Sequence, residues 1–255
     1  MSKADPTFTS EGLSTALTPR PVRFFEQVSS SNDVGLDWLD EGAVEGAAVI
    51  ADEQIKGRGR LGRQWYAPPG TALMLSYLLR PPIKLLPRMG MLAALAVCET
   101  VEALGVPNLG VKWPNDVQVK RLKVCGILPE ARWQGGNLVG VVLGIGVNVR
   151  IDFENTPFAE SATSLETLLG SPIDRVELLV LLLARLDYWR TRLGDDALFQ
   201  SWRTRLNMLR ERVAVVNGAN VVDGIAEDVD IEGALLVRDL EGVLHRVMAG
   251  DIALG

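Results

Sequence analysis

Apolar and polar positions follow one rhythm up to about residue 207 and another after it. The first 20 residues are mostly polar and hold Pro6 and Pro19, so the pattern predicts a loose tail over 1–20. RFFEQV then reads as a short strand. In the Ser/Asn/Asp cluster after it, Ser31 is placed to cap a helix through NDVGLDWLDEG that Gly42 closes. GAAVIADEQ predicts a buried strand, and TALMLSYLLRPP another that its prolines stop. RMGMLAALAVCETVEALG is rich in strong helix formers and is ended by Gly105 and Pro107. GVKWPNDVQV, LKVCGILPEAR and NLVGVVLGIGVNV follow as three strand-like runs. Their links are short, with turns at Pro114-Asn115-Asp116 and at Gln134 to Asn137, which predicts an antiparallel meander. DRVELLVLLLARLDYWRTRLG predicts an amphipathic helix with Asp174 as its cap, and DALFQSWRTRL a second helix.

From about residue 208 the texture changes to short strands at close, regular spacing with Gly and Asp turns. That spacing predicts a small β-barrel over 208–255 and a boundary near Asn207. Mixed elements followed by all-β elements predict an α+β protein: a mixed or antiparallel sheet packed by helices over 21–207, then the barrel.

Composition narrows the function more than the fold. The chain has 255 residues and nearly half are apolar, enough for a sizeable core. Its net charge is −6, which argues against a nucleic-acid partner. Two separated cysteines, Cys98 and Cys125, make no disulfide scaffold and point to a reducing, cytoplasmic setting. A lone histidine, His245, argues against a zinc cluster and against a Ser–His–Asp triad. The N-terminus has no apolar signal region. The most apolar run, VELLVLLLARL, is short for a membrane span and is interrupted by Arg185.

The chemistry concentrates in KGRGRLGRQW, residues 56–65. Gly57, Gly59 and Gly62 match the spacing of a dinucleotide fingerprint, but the context does not fit. Pro68-Pro69-Gly70 follow where a helix must begin, and no acid lies between Glu53 and Glu99. That acid-free interval holds Lys56, Arg58, Arg60, Arg63, Arg80, Lys84 and Arg88, four of them within eight residues. Alternating glycines expose backbone N–H groups and leave the segment flexible, and guanidinium groups suit phosphate or carboxylate. The segment reads as an anion-binding loop flanked by Trp65. A second constellation places Lys112, Asn115 and Asp116 at a strand turn and Lys123 inside an apolar run. Such a lysine either snorkels from an edge strand or meets an anion, and the arginine loop favours the anion. Asn148 closes a strongly apolar strand, where it serves either as a turn residue or as a polar contact to a ligand.

Together and in this order, ADEQIKGRGRLGRQWYAPPG, KWPNDV, LKVCGIL and GIGVNV resemble the biotin protein ligases, from about residue 22 to the end. The resemblance implies a catalytic domain like that of class II aminoacyl-tRNA synthetases, shared with lipoate ligases, and a small C-terminal β-barrel. It implies that biotin and ATP, with Mg²⁺, form biotinyl-5′-adenylate, which a lysine of the biotin carboxyl carrier domain of acetyl-CoA carboxylase then attacks. By motif position, Ser30, Ser31, Asn32 and Gln54 serve the biotin ring or its side chain. Gly57, Arg58, Gly59 and Arg60 line the biotin carboxylate and the phosphate, with Arg58 and Arg60 also catalytic. Lys123 sits between carboxylate and α-phosphate as the principal catalytic residue. Arg60, Arg63, Trp65, Lys112, Asn115, Asp116 and Asn148 serve ATP, and Asp116 orients Lys123 or holds Mg²⁺ indirectly. Gly126 and Gly144 let the ligand lie close to backbone, and the arginine loop closes as a lid. Ser31, Cys125 and Pro129 depart from the family pattern in packing more than in chemistry. Only about 20 residues precede the ligase core, so no DNA-binding winged helix is expected; a homodimer through sheet edges is left open. The rival within the fold is a lipoate ligase, or an octanoyl transferase using Cys125 as nucleophile.

Overall fold

Strand β3 (Ala72–Leu79) is buried at every position, which sets it at the centre of the main sheet rather than at an edge. The computed structural model describes residues 5–218 and 220–254. Around β3 stand β1 (Val22–Val28), β2 (Ala48–Gln54), β4 (Leu109–Lys112), β5 (Asp116–Val119), β6 (Leu122–Gln134) and β7 (Asn137–Asn148), in the order β1-β2-β3-β7-β6-β5-β4. β1 and β2 are parallel and joined through the helix Ser31–Asp40; every other pair is antiparallel. The meander expected over residues 109–148 is present. Its first run is split in two, because Pro114-Asn115 turns the chain between β4 and β5.

Among the described residues six α-helices surround the sheet: α1 (Ser10–Leu17), α2 (Ser31–Asp40), α3 (Met89–Ala103), α4 (Leu165–Leu169), α5 (Arg175–Arg190) and α6 (Asp196–Arg203). α3 is apolar on nearly all sides and packs between the sheet and helices α5 and α6, as an all-apolar helix must. Asp174 caps α5 by accepting from the N–H groups of Val176 and Glu177. No helix among the described residues is long and apolar enough to cross a membrane.

From residue 5 on, the N-terminal segment corrects the expectation of a loose tail over 1–20; residues 1–4 lie outside the described residues. Thr9 caps α1, and Phe8, Leu13 and Leu17 enter the main core, with Phe8 edge-on to Phe24 of β1. Asp5 pairs with Arg150 and with Arg175, a guanidinium almost wholly buried that also stacks on Phe8. Leu13 and Leu17 lie four apart, one helical turn, a spacing that the surrounding polar residues masked.

The C-terminal strands β8 (Arg212–Asn217), β9 (Asn220–Val229), β10 (Leu235–Arg238), β11 (Leu244–Val247) and β12 (Asp251–Leu254) form one antiparallel sheet in the order β11-β10-β9-β8-β12. Among the described residues no ladder joins β11 to β12, so the expected barrel is instead an open five-stranded sheet. One face of it packs inward, through Val213, Val215, Ala226, Leu235 and Val237. The sheet is fastened to the larger unit by the Trp113 indole, which donates to Gly233 O at 2.8 Å, and by the Arg203–Asp228 pair.

Candidate active site

The parallel β1–β2 pair brings the start of α2 beside the end of β2, so Ser31 and Gln54 meet. Ser31 donates to Gln54 Oε1 from its backbone N–H at 2.7 Å, and its hydroxyl lies 3.0 Å from the same oxygen. The helix begins after Ser30, whose side chain makes no capping bond, and the Ser31 hydroxyl, expected as the cap, turns toward Gln54 and Ser76 instead. Ser76 Oγ lies 2.8 Å from Ser31 Oγ and 2.6 Å from Asn32 Oδ1. The Asn32 amide donates to Glu130 Oε2 at 2.6 Å and to Leu128 O at 3.2 Å. Gly144 makes this possible: a Cβ there would stand 2.6 Å from Asn32 Oδ1.

Residues 57–65 fold as a small hairpin. Gly59 N–H donates to Arg63 O at 2.7 Å and Trp65 N–H to Gly57 O at 2.9 Å. Leu61 and Gly62 turn it with φ of 55° and 75°, the two left-handed residues of a type I′ turn. Gly62 is thus required by the turn, while Gly57 leaves room for the Trp65 side chain, 3.2 Å from where its Cβ would lie. The counter-charges missing from this stretch of sequence arrive from elsewhere in the fold. Arg58 makes a bidentate pair with Asp33 at 2.6 and 2.8 Å and reaches Glu130 at 3.2 Å. The hydrogen bond to Asp33 is the main reason its pKa is raised. Arg63 pairs with Asp251 of the C-terminal sheet, and Arg60 lies 4.0 Å from the same carboxylate. Burial lowers the pKa of Arg60, which donates to Asn115 Oδ1 at 3.1 Å and Gly250 O at 3.2 Å.

Lys123 extends from β6 to Asp116 of β5, 2.8 Å away, and lies 5.6 Å from the Trp65 ring centre. Trp65 rests over the facing pair Gly126 and Gly146: a Cβ would come 2.9 Å from the indole at the first and 2.6 Å at the second. Gly126 and Gly144, expected to let a ligand lie close to backbone, thus also admit protein side chains, as Gly146 does. The Trp65 Nε1–H is buried with no partner among the described residues. Asn148 spends its amide on Lys123 O and Thr163 O, both at 3.1 Å, and so braces the backbone of the lysine.

A smaller and a larger cavity meet at Gly59, Arg60, Trp65, Asn115 and Lys123. Ser30, Ser31, Asn32, Gln54, Arg58, Gly126 and Gly144 line the smaller one. Arg63, Lys112, Asp116 and Asn148 line the larger. Of the residues to which the resemblance gives a role toward biotin or ATP, only Gly57 lines neither. Ser76, Asp33, Glu130 and Asp251 were not singled out. Ser76 carried a signal, a small polar residue within the apolar run LMLSYLL; the acids carried none. Among the described residues no cluster of three or more potential ligands could cage a metal ion. Cys125 is wholly buried, and burial pushes its thiol pKa well up, so it offers no thiolate nucleophile.

Residues 24–148 match the biotin/lipoate A/B protein ligase family and residues 211–255 the biotin protein ligase C-terminal domain. The biotin–[acetyl-CoA-carboxylase] ligase of Mycobacterium tuberculosis is 35% identical over 91% of this chain and 88% of its own. The bifunctional ligase/repressor BirA of Bacillus subtilis is 31% identical over 96% of this chain and 77% of its own. The biotin protein ligase of Aquifex aeolicus, solved in complex with biotin and ATP, superposes with a TM-score of 0.76 at 27% identity, over 92% of this chain and 98% of that one. With its ligase motifs gathered at one pair of joined cavities and both matched segments in order, the chain belongs to the biotin protein ligases.

Proposed function

We propose that the protein couples biotin to ATP as biotinyl-5′-adenylate and passes the biotinyl group to a lysine of the biotin carboxyl carrier domain of acetyl-CoA carboxylase. The observation that carries this reading is the shared wall of the two cavities. The smaller cavity, with its row of hydroxyls and amides, receives the biotin ring and chain. The larger, with Lys112, Arg63 and the unpartnered Trp65 indole, receives the nucleotide. The biotin carboxylate and the α-phosphate then meet where Arg60 and Lys123 stand. Two anions approach each other there, and fixed cations offset the repulsion and stabilise the charge that builds on the phosphorus oxygens. Asp116 holds Lys123 in place, and Arg58 closes the carboxylate side.

Mg²⁺ fits this site only as a companion of the nucleotide. Asp116 and Asp251 line the larger cavity and are already paired with Lys123 and Arg63, so phosphate oxygens would supply most ligands, with Asp116 the nearest protein oxygen to the lysine. When bound, the ion would neutralise phosphate charge. The arginine hairpin, joined to the body by ion pairs rather than by sheet, is suited to open for substrates and to shield the adenylate from water. Incubation with ATP, Mg²⁺ and labelled biotin or lipoate tests the reading. Biotinyl-adenylate should form and its label should move to a carrier-domain lysine; preference for lipoate would overturn it.

A further inference from the structure

Glu130 takes no part in the chemistry above, yet it reaches the wall of the smaller cavity from β6. Both Asn32 Nδ2–H bonds end on β6, one on Glu130 Oε2 and one on Leu128 O. A carboxylate and a carbonyl only accept, so the Asn32 amide has one allowed orientation and its Oδ1 must face Ser76. Oδ1 also only accepts, so the Ser76 hydroxyl donates to it. Ser76 Oγ is then left to accept from Ser31 Oγ, 2.8 Å away, whose one proton turns from Gln54 Oε1, an oxygen that the Ser31 backbone N–H already serves. Ser31, Asn32 and Ser76 are all buried, so no solvent competes for these protons. One carboxylate thus fixes the proton direction along a buried row of three side chains. The wall so polarised offers acceptor lone pairs at Asn32 Oδ1 and Ser31 Oγ. Those acceptors match the two N–H groups of a cyclic urea, and a dithiolane ring would leave them unpaired.

We infer that Glu130 is a positioning residue that selects the cyclic-urea head of biotin by holding both amide protons of Asn32 toward β6. This rests on the reading of the smaller cavity as the biotin site. Glu130 also touches Arg58, but Arg58 keeps its bidentate pair with Asp33, so the effect on affinity runs through Asn32.

The test is calorimetric biotin binding to the full chain and to Glu130→Met, Glu130→Gln, Asn32→Ala and the Glu130→Met/Asn32→Ala double variant, each checked by thermal melting. Glu130→Met keeps the length of the side chain and removes the acceptor; leaving an amide N–H unpaired should weaken biotin about tenfold. Glu130→Gln restores an acceptor and should bind within about threefold of the parent. In the Asn32→Ala background the Met change should add less than about twofold, since its target is gone. The Glu130 side chain is 29% exposed, which favours folding of these variants; Glu130→Ala replaces Glu130→Met if that variant does not fold. Parent-like affinity in Glu130→Met, or losses that multiply in the double variant, would overturn the assignment. A parent chain that binds no biotin would instead overturn the reading of the cavity.

Discussion

The Lys123 ammonium and the Asp116 carboxylate stand 2.8 Å apart at the seam between two cavities, each group about a quarter to a third exposed. β5 and β6 place them there through the bulge between Val117 and Gln118, which re-aims the side chains beside it. The lysine is thereby held where two substrate anions would converge. Lys123→Ala is expected to slow adenylate formation by about 10²–10³-fold, the usual cost of removing one fixed donor to a developing oxyanion. Asp116→Asn keeps a hydrogen-bond acceptor and should slow it less. Pyrophosphate release at saturating biotin and ATP measures both, and equal losses would show that Asp116 does more than hold the lysine.

Gly144 and Gly146 alternate along one face of β7 and both line the smaller cavity, but each lies beneath a different side chain, Asn32 over the first and Trp65, shared with the larger cavity, over the second. A Cβ at Gly144 would meet Asn32 Oδ1 and one at Gly146 the Trp65 ring, both at 2.6 Å, too close for either to remain. Gly144→Ala should raise the KM for biotin, and Gly146→Ala the KM for ATP. Forced shifts of this kind cost roughly 1–3 kcal/mol, or about 5- to 150-fold. Steady-state kinetics with each substrate varied separately decides the matter; the same substrate affected by both variants would contradict this division of the site.

Arg63 is largely exposed and is tied to the C-terminal sheet through Asp251. An exposed pair of this kind contributes up to about 1 kcal/mol, so Asp251→Asn should raise the open population of the hairpin by up to about fivefold. Limited trypsin cleavage after Arg58, Arg60 or Arg63 should quicken by that factor. Saturating biotin and ATP should restore protection if the hairpin closes over them.

Most of the fold was legible because its elements carry strong local signals: Pro81-Pro82 after β3, Asp174 before α5, and Gly105 after α3. The tail was misread because three apolar residues were diluted by polar ones, and only contact with β1 and α5 gives them a core. The barrel was overread because strand spacing does not reveal whether the first and last strands of a sheet meet. In the site, the basic and glycine residues were legible since they cluster in sequence. Asp33, Glu130 and Asp251 were not, because a carboxylate that pairs across 25, 72 or 188 residues leaves no local trace.

Cys125 lies two residues from Lys123 but is sealed in the core. Burial pushes its thiol up, and that of Cys98 to about 12, so neither is a thiolate at neutral pH. Folded protein should therefore resist iodoacetamide at pH 8, and Cys125→Ala should keep adenylate formation within a few-fold of the parent. An acyl-thioester captured on Cys125 would reverse this and favour the transferase chemistry.

Asp5 ties the N-terminal segment to the core. Burial opposes its charge, but hydrogen bonds from Arg150 and Arg175 outweigh that, so its pKa lies below the ordinary aspartate value of 3.8. A carboxyl whose pKa falls on folding contributes its full stability above the unfolded value and loses it as pH falls through the folded one. Asp5→Asn should therefore cost about 2 kcal/mol at pH 7, the scale of a hydrogen bond to a charged group. Arg175 would retain Asp52 as a partner, which keeps the variant folded. The gap between parent and variant should shrink as pH drops below about 3.8 and close once Asp5 is protonated in the folded state. Urea melts at neutral pH and in steps down through the acid range measure that gap. A gap that stays constant with pH would mean that α1 is held by Phe8, Leu13 and Leu17 alone, and that the charge on Asp5 adds nothing to its docking.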